Sequence, residues 1–307
     1  MSIRSRLVSA GYDVYLSAAL SAFSRYPIGT NVFQREWDVL VLLDTCRVDA
    51  LREVAPEYDF LSDIDAMTSV GSTSSEWIAC TFVDEYREEV AETIYVSANG
   101  FDEPILCQGM LPGHDRRFAW TNWSTLSERD LLKLDQVWKY APKPEHGHVR
   151  PRHVTDRAIT HARDHEPDRL VVHYSQPHEP YVANADAEGR GELYDYEKRP
   201  WTYLQNGGDF ETVWAAYLDN LRLVLDEVSV LIQSIDAEEV AISADHGEAF
   251  GEWGINRHPM AIPHPKIKRV PWATTVAKDT GEYEPTLEER DQSRDVEGHL
   301  ENLGYLS

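Results

Sequence analysis

Residues 239–258 bring together side chains that bind cations. Val240 to Ser243 is a short apolar run that stops at Asp245-His246-Gly247-Glu248, and Gly251, Gly254 and a lone His258 follow. One carboxylate and two imidazoles suit a hard or borderline divalent metal. A second carboxylate, Asp44, closes the apolar run 37–43. A buried strand should not end on an unpaired carboxylate, so Asp44 calls for a cation or several donors. A third group is the hydroxyl-rich stretch 68–77, Thr-Ser-Val-Gly-Ser-Thr-Ser-Ser-Glu-Trp. With Ser74 or Ser75 as N-cap of a helix carrying Trp77, Ile78 and Phe82, the hydroxyls ahead of it lie at a helix N-terminus. Free N–H groups and the positive dipole end make that an anion-binding position.

These groups need elements that deliver them to one place. Residues 37–44 read as a central strand and 240–243 as another, each built on a continuous apolar, β-prone run as buried parallel strands are. Each ends on a carboxylate, and open α/β sheets put their chemistry at that edge. Residues 153–165 carry helix signals, and 168–174 read as a further strand. Trp214, Tyr217, Leu218, Leu221, Val224, Leu225, Val228 and Leu231 recur at helical spacing and predict a core helix feeding the strand before Asp245. Residues 270–276 predict an edge strand, where Pro271 is tolerated. Residues 100–150 read as an irregular insertion, and 181–209 as a loop that is a candidate lid. His264, between two prolines, reads as a surface residue.

The chain has 307 residues, with 29 Lys+Arg against 53 Asp+Glu and a formal charge of -24. That length suits one large α/β domain, taken as residues 31–307 after an N-terminal lead-in at 1–30. The charge argues against nucleic acid as a partner. An acidic, lysine-poor surface with no single acidic tail is similar to that of halophilic archaeal proteins, in which dense carboxylates stay hydrated in salt. Cys46, Cys80 and Cys107 lack metal-ligand spacing and cannot frame a disulfide core, which fits a reducing, cytoplasmic setting. Residues 3–24 begin basic and continue apolar, with Asp13 interrupting. They predict an amphipathic helix packed on the domain, with attachment to the cytoplasmic face of a membrane as the alternative.

The ordered motifs 42–51 (Leu-Leu-Asp-Thr-Cys-Arg-Val-Asp-Ala-Leu), 71–77, 93–99, 173–181 (His-Tyr-Ser-Gln-Pro-His-Glu-Pro-Tyr), 243–254, 269–272 and 296–306 resemble those of sulfatase-like members of the alkaline phosphatase superfamily, here of haloarchaeal type. The resemblance implies a three-layer α/β sandwich with a mostly parallel sheet between helices, and one or two divalent metals at the strand ends. Position by position, Asp44, Asp245 and His246 match metal ligands, and Ser72 matches the nucleophile and a fourth ligand, with Thr73 as the neighbouring alternative. His178 matches a histidine that contacts the transferred group, and His258 the histidine that follows the Asp-His-Gly motif. His173 is either a further site residue or a structural one.

Two departures shape the expected chemistry. Formylglycine sulfatases follow their nucleophile with x-Pro-x-Arg, where this chain has Ser74 and Glu76, so an unmodified hydroxyl is expected. Thr45 stands where many sulfatases carry a second carboxylate, which points to one metal held by Asp44, Asp245, His246 and Ser72, a second using His258 being the alternative. Zn, Mn or Ca are the candidates. The expected activity is hydrolysis of a phosphate or sulfate ester, on a small molecule or glycan, through a covalent seryl ester, with His178 or His258 as general acid. Transfer to a cell-envelope glycan or lipid is the second reading, and a binding module without activity the third.

Overall fold

The computed structural model describes residues 3–142 and 149–289. The motif at 296–306 lies outside the described residues. Nine strands are present among them: β1 (Val39–Leu43), β2 (Ile64–Thr68), β3 (Thr93–Ser97), β4 (Lys133–Gln136), β5 (Arg169–Tyr174), β6 (Ala237–Ser243), β7 (Ala249–Phe250), β8 (Asn256–Arg257) and β9 (Arg269–Ala277). The helices are α1 (Ile3–Phe23), α2 (Val48–Val54), α3 (Ser74–Thr81), α4 (Arg87–Ala91), α5 (Pro151–His165), α6 (Ala183–Glu188), α7 (Asp195–Lys198), α8 (Pro200–Gln205), α9 (Phe210–Ile232) and α10 (Pro265–Lys268).

Seven strands form one sheet in the order β2-β9-β6-β1-β5-β3-β4. From β6 to β4 the neighbours run parallel, and β9 is antiparallel to both β6 and β2. The sheet is therefore mixed and mostly parallel, with helices around it. β1 sits between β5 and β6, and all five of its residues are buried. That explains its unbroken Val-Leu-Val-Leu-Leu sequence, since neither face meets water. Burying each such side chain contributes about 1.5–3 kcal/mol.

Adjacent residues of β5 show that both faces are covered. His173 meets Trp77 of α3 edge-on, whereas Tyr174 shares a 2.8 Å hydrogen bond with Thr155 of α5. Successive strand side chains point to opposite faces, so α3 and α5 lie on opposite sides of the sheet. α5 carries Pro at its first position, where the missing N–H costs nothing. α9 buries Tyr217, Leu218, Leu221, Val224, Leu225, Val228 and Leu231 of the stripe foreseen from the sequence, with Val213 in addition and Trp214 only half-buried, and Asp209 caps it by accepting from Thr212 N–H.

β9 is not the edge strand that Pro271 suggested. It lies second in the sheet, with β2 outside it. Pro271 is tolerated because the ladder with β6 has ended by Ala273, and the Ser243 hydroxyl donates to the Pro271 carbonyl at 2.7 Å instead. Within the stretch 100–150, β4 adds a strand beside β3. None of the described helices is long and apolar enough to cross a membrane. α1 docks through Leu16 and Leu20 against Ala261, and the Tyr15 hydroxyl donates to the Ala261 carbonyl at 2.7 Å. Helix α1 is thereby fixed to the loop that follows His258.

Candidate metal centre

Three parallel strands end side by side and deliver the polar groups. Asp44 follows β1 directly, Asp245 and His246 follow β6, and His178 follows β5. At the end of β1 the chain turns through Thr45, a non-glycine residue with φ 65°. That uncommon conformation lets the Thr45 N–H donate to Asp245 Oδ1 at 3.4 Å, and the His246 N–H donates to the same oxygen at 2.9 Å. Asn99, just past β3, donates from Nδ2 to Asp44 Oδ2 at 3.0 Å. Each carboxylate is thus held by one oxygen, leaving the other for the cluster.

Asp44, Asp245 and His246 offer ligand atoms within 4.8 Å of one another, and all three residues are buried. His246 Nε2 lies 3.7 Å from Asp44 Oδ1 and 3.3 Å from Asp245 Oδ2. The His246 Nδ1 sits 3.0 Å from the Gly247 carbonyl, an acceptor only, so Nδ1 carries the proton and Nε2 presents a lone pair. Asp245 Oδ2 is buried without a hydrogen-bond donor. Two carboxylates and an imidazole lone pair converging in a buried space repel one another unless a cation lies between them. The donor set of carboxylate, imidazole and hydroxyl suits Zn or Mn.

The hydroxyl at the cluster belongs to Ser74. Its Oγ lies 3.3 Å from His246 Nε2, and the residue is fully buried at the first position of α3. Thr73 is the N-cap, accepting from Glu76 N–H at 3.2 Å, which leaves the Ser74 side chain off the capping bond. Ser72, in the position matched to the nucleophile and the fourth ligand, is not brought to Asp44, Asp245 and His246. Its hydroxyl donates to Glu76 Oε2 at 2.5 Å and its N–H to the same oxygen at 3.2 Å. Glu76 also accepts from Ala261 N–H at 3.1 Å, tying the start of α3 to the loop after His258. Gly71 allows the tight approach of that start, because a Cβ there would meet Trp77 N at 2.4 Å.

A second cluster abuts the first. His178, Glu248 and His258 also place ligand atoms within 4.8 Å, and the His258 ring lies 4.4 Å from the His246 ring. His178 Nδ1 is 2.6 Å from the Glu179 carbonyl, so Nδ1 donates there and Nε2 faces His258 Nε2 at 3.1 Å. Burial pushes the His178 imidazole down to about 3 and the His258 imidazole well below its usual value. Burial, with the charges of Glu179 and Asp44, raises Glu248 well above the carboxylate range. The hairpin of β7 and β8 joins Glu248 to His258, which is how residues ten apart return to one point.

His173 lies beneath Asp245: its Nε2 is 3.6 Å from Asp245 Oδ2, and its Nδ1 shares a 2.8 Å hydrogen bond with the Tyr95 hydroxyl. It supports the cluster from the sheet. His264 is buried, against the surface position expected of it, because its Nδ1 caps α10 by accepting from Lys266 N–H. The sequence reading gave Ser74 only a possible helix-capping role and assigned Asn99 and Glu248 no part in the site. For Ser74 a signal existed: Thr73-Ser74-Ser75-Glu76 is a T-x-x-E capping pattern, which names Thr73 as the N-cap and moves the helix start by one residue.

No family model and no curated protein matches the chain. Among solved structures it is similar to the soluble domain of lipooligosaccharide phosphoethanolamine transferase A from Neisseria meningitidis, with 14% identity over 78% of this chain and 76% of that one, and a TM-score of 0.48. It is similar to the C-terminal periplasmic domain of phosphoethanolamine transferase EptC from Campylobacter jejuni, with 15% identity over 77% of each chain and a TM-score of 0.42. The corresponding EptC domain from Escherichia coli, in complex with Zn, gives 13% identity over 82% of this chain and 76% of that one, and a TM-score of 0.44. At such identities and scores the chemistry has to be read from the side chains.

Proposed function

We propose that this chain is a sulfatase-like member of the alkaline phosphatase superfamily, a metal-dependent enzyme that hydrolyses phosphate or sulfate esters with Ser74 as its nucleophile. The observation that carries the reading is the buried convergence of Asp44, Asp245, the His246 Nε2 lone pair and the Ser74 hydroxyl. Asp44, Asp245 and His246 would hold one divalent cation, with Ser74 as the fourth group; His178, Glu248 and His258 form a candidate second site. When bound, the cation supplies charge neutralisation for the carboxylates, polarisation of the ester and a lowered pKa for the serine hydroxyl.

The chain's own residues do the rest. Ser74 Oγ bonds to phosphorus or sulfur as the bond to the leaving oxygen breaks, its proton passing to that oxygen, which gives a seryl ester and an alcohol; water then attacks the seryl ester, releasing phosphate or sulfate and returning a proton to Ser74. Its place at the first turn of α3 puts backbone N–H donors and the positive helix end beside the charge that develops on the transferred group. His258, the more open of the two facing imidazoles and neutral because burial lowers its pKa, is placed to relay that proton to the leaving oxygen. Asn99, Thr45 and the His246 N–H hold the carboxylates in register.

The burial of all four groups favours a second reading, transfer of the group to an alcohol on a glycan or lipid in place of water. The similar phosphoethanolamine transferases fit that reading, and the Zn in one of them fits a divalent metal here. Cytoplasmic location and salt adaptation belong to the same proposal. The test is release of nitrophenol from aryl phosphate, phosphodiester and sulfate with Zn, Mn or Ca. Metal-dependent turnover that is lost in Ser74→Ala and Asp245→Ala supports the proposal, and turnover in chelator overturns it. Faster release on adding an alcohol acceptor, with the alcohol ester as product, selects transfer.

A further inference from the structure

On the outer side of the loop that carries Asp245 and His246 lies an open pocket of about 400 Å³ lined by Arg47, Asp49, Arg52, Lys266 and Arg269. Four cations against one carboxylate is the reverse of the chain as a whole, which has 53 acidic and 29 basic residues. Arg47 and Lys266 both bind Asp49, at 2.6 and 2.5 Å, so the single acid is already neutralised. Their pull holds the Asp49 carboxyl well below its ordinary range although burial works against it. Arg52 donates to the neutral Ile64 carbonyl at 2.7 Å. Among the described residues no carboxylate pairs with Arg52 or with Arg269. On a surface this acidic, leaving two guanidinium groups unpaired at one pocket forgoes ion pairs that would have been easy to form, unless an anion takes their place.

The pocket shares its wall with the metal centre. Gly247, next to His246, donates its N–H to the Ile267 carbonyl at 2.6 Å, and a Cβ on Gly247 would meet the Lys266 carbonyl oxygen at 2.2 Å. Arg47 donates to the Glu248 carbonyl at 3.3 Å and stands three residues after Asp44. A ligand seated here is thus one loop away from the ester. Arg52 gives Nε and Nη2 to the Ile64 carbonyl, which leaves its Nη1 edge to meet an anion, and the Arg269 guanidinium is a planar donor fork, the geometry that takes phosphate or sulfate oxygens in pairs.

We infer that this pocket binds a phosphate group on the part of the substrate that is not transferred, so that the substrate class is esters carrying a second, phosphate anion. The inference rests on the ester-cleaving reading of the metal centre, but the pocket can be tested apart from it. Inorganic phosphate is titrated calorimetrically into the metal-loaded full chain and into the double variant Arg52→Gln/Arg269→Gln, with Arg52→Glu/Arg269→Glu as a graded second variant and thermal melting to verify folding. Two phosphates per wild-type chain and one per variant is the expected result. One on wild type and none on the variant keeps the pocket and removes phosphate binding at the metal centre. One on each overturns the pocket.

The kinetic arm compares a sugar bisphosphate with nitrophenyl phosphate. The ratio of their kcat/KM values should fall at least tenfold in the Gln pair and further in the Glu pair, and an unchanged ratio overturns the substrate assignment. Sedimentation with phosphatidylcholine vesicles containing phosphatidic acid identifies the carrier. Wild-type binding that the Gln pair loses assigns the phosphate to a lipid headgroup. Absence of vesicle binding beside intact phosphate binding assigns it to a soluble ester.

Discussion

Ser74 Oγ and His246 Nε2 lie 3.3 Å apart, joined by the start of α3 and the end of β6 although 172 residues separate them. The His246 ring is fixed because Nδ1 donates to the Gly247 carbonyl, so the nitrogen that meets Ser74 is the one with the lone pair. The contact separates two serines that the sequence alone does not tell apart.

Ser74→Ala should lower ester turnover by about a thousandfold or more, since it removes the atom that forms the covalent ester. Ser72→Ala should act on stability instead. It removes a hydroxyl bonded to the Glu76 carboxylate, a charged hydrogen bond worth about 1.5–3 kcal/mol, while leaving the reacting groups in place. Parallel measurement of kcat and of the urea midpoint for both variants checks this. Loss of activity in Ser72→Ala with an unchanged midpoint would reassign the nucleophile.

Removal of metal should destabilise the chain, because the buried carboxylates of Asp44 and Asp245 would then face an imidazole lone pair with no cation between them. At a free metal concentration a hundred times Kd the stabilisation is about 2.7 kcal/mol. Asp245→Asn removes one of the two charges. It should abolish the rise in Tm on adding Zn or Mn while leaving the metal-free protein no less stable than metal-free wild type. Melting curves with chelator and with each metal test both statements, and a Tm indifferent to chelator would count against the centre.

The contrast between these residues shows what the sequence could convey. β1 and the second half of β6 are apolar runs that stop short of carboxylates, and the need to satisfy a buried charge made their ends legible as a site. The hydroxyl was not legible in the same way. Six residues from 68 to 75 are Ser or Thr. Which of them meets the cluster depends on where α3 starts, a matter of one residue, and Ser72 and Ser74 differ by half a helical turn. The sheet edges were obscure for another reason. β2 is Ile-Asp-Ala-Met-Thr with a single buried residue, and β4 is Lys-Leu-Asp-Gln, so neither has the apolar run that marks a central strand. β9 was misplaced to an edge by its proline, whose effect depends on where pairing with β6 stops.

Glu76 holds the start of α3 to the loop after His258, and its loss should be costly. Its carboxylate accepts from the Ser72 N–H and hydroxyl and from the Ala261 N–H, all in a buried setting. Glu76→Ala leaves those donors without partners at about 1–3 kcal/mol each, so a destabilisation of roughly 3 kcal/mol or more is expected. Glu76→Gln keeps an acceptor oxygen and should recover about half of that loss. Urea unfolding of the two variants tests the order, and equal midpoints for wild type and Glu76→Ala would refute it.

Lys268 supplies a prediction whose sign runs against the usual one for a cation. Burial pushes its ammonium down to about 8 from 10.5, despite the opposing pull of Glu76. Between those two values the unfolded chain holds a proton that the folded chain has released, so folding stability contributed by this residue increases as pH rises through that window. Below pH 8 the folded protein carries the buried charge and its full cost, on the order of 3 kcal/mol. Lys268→Met removes the titration. The variant should be more stable than wild type at pH 7 by up to about that amount, and the gap should close as pH approaches 10.5. Unfolding free energies of both proteins at pH 7, 8.5 and 10 measure the difference. A gap that stays constant across the series would mean that Lys268 titrates alike in the folded and unfolded chains, and that Glu76 compensates its burial completely.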